Sequence, residues 1–243
     1  MNQPVIYAHR GASAYAPENT MAAFVKAVEL GSGGIELDVH MTKDGHIVVV
    51  HDEAIDRTSD GSGKIKDLNF SELLRFDFGR WFSDEFVGER VPSLEQVLEL
   101  LSGWNGFLNI EIKSNDNDIE SSVISLINMY RMRDKVIVSS FNHYVIVNIK
   151  KLDEGIKTGA LIMEMLYKPW EYAKRIGANA IHPYYRAINK EYIEECLEND
   201  LEVNVFTVDR PEDVKLFAKT NVSGIITNVP DVALKSLSEE NTR

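Results

Sequence analysis

A single cysteine, Cys196, excludes an intramolecular disulfide and makes the chain compatible with a reducing compartment. It falls in the helical pattern EYIEECLEND, where a buried, idle thiol is the expected role. Positive charge is also scarce. Lys and Arg number 26 against 38 Asp and Glu, giving a formal net charge of −12. That balance speaks against nucleic acid as a partner, because such binding rests on basic patches. No run of about 18 apolar residues exists, so no membrane span is expected. The opening MNQPVIYAHRGA lacks a basic segment followed by an apolar one. A secretory leader is therefore not expected, and a cytoplasmic location is. No low-complexity tract and no linker rich in Pro, Gly or Ser divides the 243 residues, so one domain over 1–243 is expected.

What the chain does have is alternation. Short β-branched or apolar runs recur: VIYAH, GIELDV, HIVVVHD, FLNIEIK, KVIVSSF, KTGALIM, ANAIHP, EVNVFTV and SGIITN. Helical patterns such as NTMAAFVKAVEL, SLEQVLELL, DIESSVISLINMYR and NKEYIEECLEN lie between most of them. Strands that alternate with helices and look buried on both faces predict a parallel sheet. HIVVVHD follows GIELDV through the tight turn MTKDG and reads as an extension of that strand. Eight βα units then remain, which predicts a (β/α)8 barrel. The rival, an open doubly wound sheet, usually carries a glycine-rich first turn, and HRGASAYAPEN is not that fingerprint.

One segment breaks the repeat. Residues 52–92 separate a strand from the next helix by about forty residues, longer than ordinary connections. The segment holds a Gly/Ser turn, a short helical pattern at SELLRF and six aromatics: Phe70, Phe76, Phe78, Trp81, Phe82 and Phe86. Those aromatics predict packing rather than disorder. Because the segment follows a strand, it is expected as a small cap beside the face where barrels carry active sites.

Ionisable residues concentrate at strand ends. Glu36 and Asp38 are two apart in one strand, so both side chains share a face. Glu111 and Lys113 repeat that spacing in the next barrel strand. Carboxylates facing one barrel mouth repel unless something neutralises them. A hard divalent cation does so, and oxygen-only donors suit Mg2+, Ca2+ or Mn2+. The competing explanation is salt bridging to Lys and Arg at the same strand ends. His9 and His51 close strands on either side of this cluster, where a group titrating near neutral pH serves acid–base chemistry. His182, in AIHP, is a weaker candidate, and His40 and His46 flank a turn and are expected to be exposed. Arg10 and Lys113 supply fixed positive charge suited to phosphate oxygens.

The stretches HRGASAYAPENT, GIELDVHMTKDGHIVVVHDEAIDRTSDGSG and LNIEIK closely resemble the glycerophosphodiester phosphodiesterases. The H-R-G, P-E-N-T, E-x-D, T-x-D-G and H-D elements occur in order with the family's spacing. The resemblance continues more weakly through SSFN, VNVFTVD and GIITNVP, and so covers essentially the whole chain. It implies a (β/α)8 barrel with a small insertion after the second strand and a small-molecule glycerophosphodiester as substrate. It also implies one divalent cation, Mg2+ or Ca2+, with Mn2+ as a further option. By the same resemblance, His9 and His51 fall on the catalytic histidines, Glu36, Asp38 and Glu111 on the metal ligands, and Arg10 and Lys113 on phosphate-binding positions. Many relatives have Trp where this chain has Phe206, which keeps an aromatic contact for the glycerol moiety and bears on substrate range. Two competing functions are a lysophospholipase D and a barrel that binds glycerol phosphates without turnover.

Overall fold

A computed structural model describes residues 3–113 and 118–240. Met1 and Asn2, part of the stretch read for a leader, lie outside the described residues. The elements run β1 (Val5–His9), α1 (Met21–Glu29), β2 (Gly34–Met41), β3 (Ile47–Val49), α2 (Phe70–Leu73), α3 (Leu94–Leu101), β4 (Phe107–Ile112) and α4 (Ile119–Met129). They continue β5 (Val136–Ser140), α5 (His143–Leu152), β6 (Lys157–Ile162), α6 (Pro169–Ile176), β7 (Ala180–Pro183), α7 (Lys190–Glu198), β8 (Glu202–Val205), α8 (Pro211–Ala218), β9 (Gly224–Thr227) and α9 (Pro230–Glu240).

All of these strands except β3 pair in parallel and in chain order, and β1 meets both β9 and β2. The sheet therefore closes into an eight-stranded barrel with helices between strands, as the alternation predicts. The period of two sorts each strand. Ile35, Leu37 and Val39 of β2 pack into an apolar shell with Phe24, Leu98, Ile110 and Val123. Ile6, Ile181, Val203 and Ile225 join Ile193, Val214 and Phe217 in a second such cluster. The alternate residues, Glu36 and Asp38 among them, face the other way. Register then brings the ionisable groups together: His9 lies beside Glu36 and Asp38 beside Glu111.

β3 corrects the expectation of a strand extension. It doubles back antiparallel to β2, with Met41 opposite Ile47 and Val39 opposite Val49. Gly45, at φ 84°, allows the reversal, and Thr42 donates its hydroxyl to Asp44 inside the turn. The hairpin returns the chain to the barrel mouth, where the Val50 N–H donates to the Asp38 carbonyl.

The segment between β3 and α3 is packed. Ile55, Ile65, Leu73, Phe78 and Val91 form a small core with Val48 and Val50, and Phe70 and Phe76 lie against it. Phe82 makes edge-to-face contacts with Trp81 and Phe86. The Asp77 carboxylate ties the segment together by accepting the N–H groups of Gly79, Arg80 and Gly88. Phe78→Ala should therefore lower unfolding free energy by about 3–4 kcal/mol, read from urea denaturation. A loss below about 1 kcal/mol would contradict this packing.

Candidate active site

The first loop shapes the site through its backbone. Arg10 adopts φ 57°, which turns its N–H onto the Glu36 carboxylate at 2.9 Å. Gly11 follows at φ 79°, and a β-carbon there would lie 2.7 Å from the Ala23 backbone, so no other residue fits. The P-E-N-T stretch serves the same loop. Glu18 accepts from the Arg10 guanidinium at 2.8 Å, Asn19 donates to Asp38 at 2.8 Å, and Thr20 caps α1.

Glu36, Asp38 and Glu111 are buried, and each offers an oxygen within 4.8 Å of the others. Burial, reinforced by Asp38 and Glu111, raises the Glu36 carboxyl well above the ordinary range. Burial and then Asp38 push Glu111 up to about 7. Burial also opposes charge on Asp38, but Lys113 and Arg10 outweigh it and hold that carboxyl low. Lys113 sits 2.6 Å from Glu111 and 3.5 Å from Asp38. The two cations thus outweigh burial at Asp38 but not at Glu36 or Glu111. That donor set fits a hard divalent cation.

Both histidines have Nδ1 engaged. His9 Nδ1 meets Asn228 Oδ1 at 2.7 Å. The Asn228 amide donates to Asp209, so its oxygen is the accepting atom and His9 carries its proton on Nδ1. His51 Nδ1 meets Asp52 Oδ1 at 2.6 Å. Nε2 of His9 lies 3.9 Å from Glu36. Burial and the neighbouring Arg10 lower His9 to about 4, so its ring is neutral near pH 7.

His9, Arg10, Glu36, His51, Glu111, Lys113 and Phe206 line one cavity of about 160 Å3 at the C-terminal ends of the strands. Phe141 also lines it, and its ring meets Phe206 edge-on at 6.0 Å. Asp38 lies just behind, against Arg10 and Lys113. A larger cavity of about 570 Å3 opens at the opposite mouth, but no histidine lines it and its Lys157–Glu202 pair is satisfied. The clustered acids and histidines, not the size of the opening, mark the site. His182 does not reach it. That ring is fully buried, borders Gly159 and Asn204, and is held neutral by burial, its pKa lowered to about 3. His40 is buried rather than exposed and contacts the His51 carbonyl at 3.0 Å. It shares the face of Glu36 and Asp38, and that alternation outweighs its place near a turn.

A sequence profile for the glycerophosphoryl diester phosphodiesterase family matches residues 9–232. The chain belongs to that family. A glycerophosphodiester phosphodiesterase of Caldanaerobacter subterraneus is 44% identical over 233 residues, covering 95% of this chain and 96% of that one. One from Bacillus altitudinis is 37% identical, covering 96% and 98%. A solved Oleispira antarctica phosphodiesterase, in complex with the product sn-glycerol-3-phosphate, superposes with a TM-score of 0.91 at 26% identity, covering 97% of each chain.

Pairing of Arg10 with Glu18, the competing role for that arginine in the sequence, is present, but sequence reasoning missed three supporting residues of this family member: Asn228 and Asp209 behind His9, and Arg57 behind Asp52. Asn228 follows a barrel strand directly, and that position was its one legible signal.

The raised carboxyls would make the binding of a cation at this cluster depend on pH. Their folded-state pKa values exceed those of an unfolded chain, so without a cation they favour folding less as pH rises from about 4.5 to about 7. A cation replaces the protons and reverses that loss. At about a hundredfold excess over Kd it should stabilise by about 2.7 kcal/mol, about 5–10 °C in Tm. Thermal unfolding with Mg2+ or Ca2+ should show the full shift near pH 7.5 and less than half of it near pH 5. Equal shifts at both values would refute the cluster as the binding site.

Proposed function

We propose that this enzyme hydrolyses glycerophosphodiesters to sn-glycerol 3-phosphate and an alcohol, with His9 as general base and His51 as general acid. The observation that carries this reading is the unequal support of the two rings. A neutral amide backs His9, whereas a carboxylate backs His51. The carboxylate stabilises the imidazolium that an acid must hold, and the amide does not. Asp52 is itself held well below the usual carboxylate range, first by the Arg57 hydrogen bond, so it keeps its charge.

In this scheme His9 Nε2 takes the proton from the attacking oxygen, and His51 Nε2 donates one to the departing alkoxide. Arg10 and Lys113 hold charge on the phosphoryl oxygens. Glu36, Asp38 and Glu111 would hold the divalent cation, whose chemistry when bound is to polarise a phosphoryl oxygen. Phe206 and Phe141 give the cavity an apolar wall for the glycerol carbons.

A second reading extends the substrate range to acylated diesters. Phe141 after β5, Tyr144 in the first turn of α5, and Met163, Met165 and Tyr167 after β6 are exposed side chains with apolar surface on adjacent connections at the catalytic face. Such a rim suits an alkyl chain. Rates on glycerophosphocholine and on its acylated form separate the two ranges, and no turnover of the acylated form would confine the enzyme to the first.

Turnover should collapse under exhaustive chelation and return with Mg2+ or Ca2+. His9→Ala and His51→Ala should each cut kcat on glycerophosphocholine by at least about 10²-fold. With a p-nitrophenyl diester, whose leaving group departs without a proton, His51→Ala should recover to within about tenfold of native while His9→Ala stays impaired. The opposite pattern would reverse the roles, and near-native turnover in either variant would end the assignment.

A further inference from the structure

Arg57 lies in the inserted segment, and its side chain is 45% exposed. An exposed arginine paired with acids usually contributes little. The geometry here is unusual. Nε and Nη2 hold both oxygens of Asp52 at 2.7 and 3.2 Å, while Nη1 and Nη2 hold both oxygens of Glu18 at 2.8 and 2.7 Å. Every guanidinium nitrogen is used, and both carboxylates are gripped in a fork. Both partners then lead to the cavity. Asp52 meets His51 Nδ1 at 2.6 Å, and Glu18 meets the Arg10 guanidinium at 2.8 Å. Charges alternate without interruption along Asp52, Arg57, Glu18, Arg10 and Asp38, and the chain ends on the His51 ring through Asp52.

We infer that Arg57 is a positioning residue for the reaction, orienting His51 through Asp52 and Arg10 through Glu18. The proposal rests on the roles given above to His51 and Arg10. Arg57 touches no reacting atom. It fixes two carboxylates that would otherwise repel and turn toward solvent, and these in turn fix the proton donor and the phosphate fork. Lysine cannot replace it, because one ammonium cannot hold two bidentate carboxylates. His40 supports the same arm from behind by its contact with the His51 carbonyl. The inserted segment is thereby part of the catalytic face.

The test compares Arg57→Ala, Arg57→Lys, Asp52→Asn, Asp52→Asn/Arg57→Ala and His51→Ala, using kcat and KM on glycerophosphocholine. Arg57→Ala should lower kcat about tenfold through the histidine branch and raise KM about threefold or more through the Arg10 branch. Added guanidinium ion should restore part of kcat. In the Asp52→Asn background, removing Arg57 should change kcat less than about twofold, because the route to His51 is already cut. Arg57→Ala within about twofold of native in both constants would overturn the proposal, as would a kcat effect that persists in full beside Asp52→Asn. If Arg57→Ala does not fold, Arg57→Lys carries the test, with a loss of about threefold or more in kcat/KM expected and native values overturning it. His51→Ala separates the two levels. Activity in that variant removes the underlying reading, whereas its inactivity beside a native-like Arg57→Ala removes the present proposal alone.

Discussion

Mutual repulsion among Glu36, Asp38 and Glu111 is the constraint around which the rest of the mouth is arranged. Three buried acids within 4.8 Å of one another cannot all carry charge unaided. The barrel register that brings them together is stabilised by apolar packing elsewhere, so the fold tolerates the conflict. Arg10 and Lys113 act on all three but outweigh burial only at Asp38. The unrelieved remainder is what a bound cation would neutralise. The same cations that steady Asp38 are the ones proposed to meet a phosphate, so in that scheme compensation and recognition share side chains.

The two histidines extend this logic to protons. Each ring is pinned at Nδ1, which fixes the tautomer and frees Nε2. Their supports differ in charge, and the proposed division of labour between otherwise equivalent side chains rests on that difference. A bound cation near His9 would add to the effect of Arg10 and keep that ring neutral.

Much of this was legible in the sequence because the period of two is a strong rule. It places Glu36 with Asp38, and Glu111 with Lys113, before any tertiary structure is known. Applied one step further it would also have buried His40, where turn composition pointed the other way. The alternating repeat gives the barrel, but it is silent on pairings across great sequence distance. His9 and Asn228 are 219 residues apart and meet only because the last strand closes on the first. Arg57 reaches Glu18 from a segment whose composition shows that it packs but not toward what. His182 misled because a strand-end position does not state how deep in the barrel a ring lies.

The hairpin of β2 and β3 has one more consequence. His51 arrives on a strand that leaves the barrel, so the ring of parallel strands stays closed whatever follows. The entropic cost of closing a loop rises only slowly with its length. The stretch between β3 and α3 beyond Arg57 can therefore grow or shrink over evolutionary time without reopening the barrel. It stays tethered at one end to His51. In such a design the barrel and the residues at its mouth are inherited together, while the surface beside them is free to diversify.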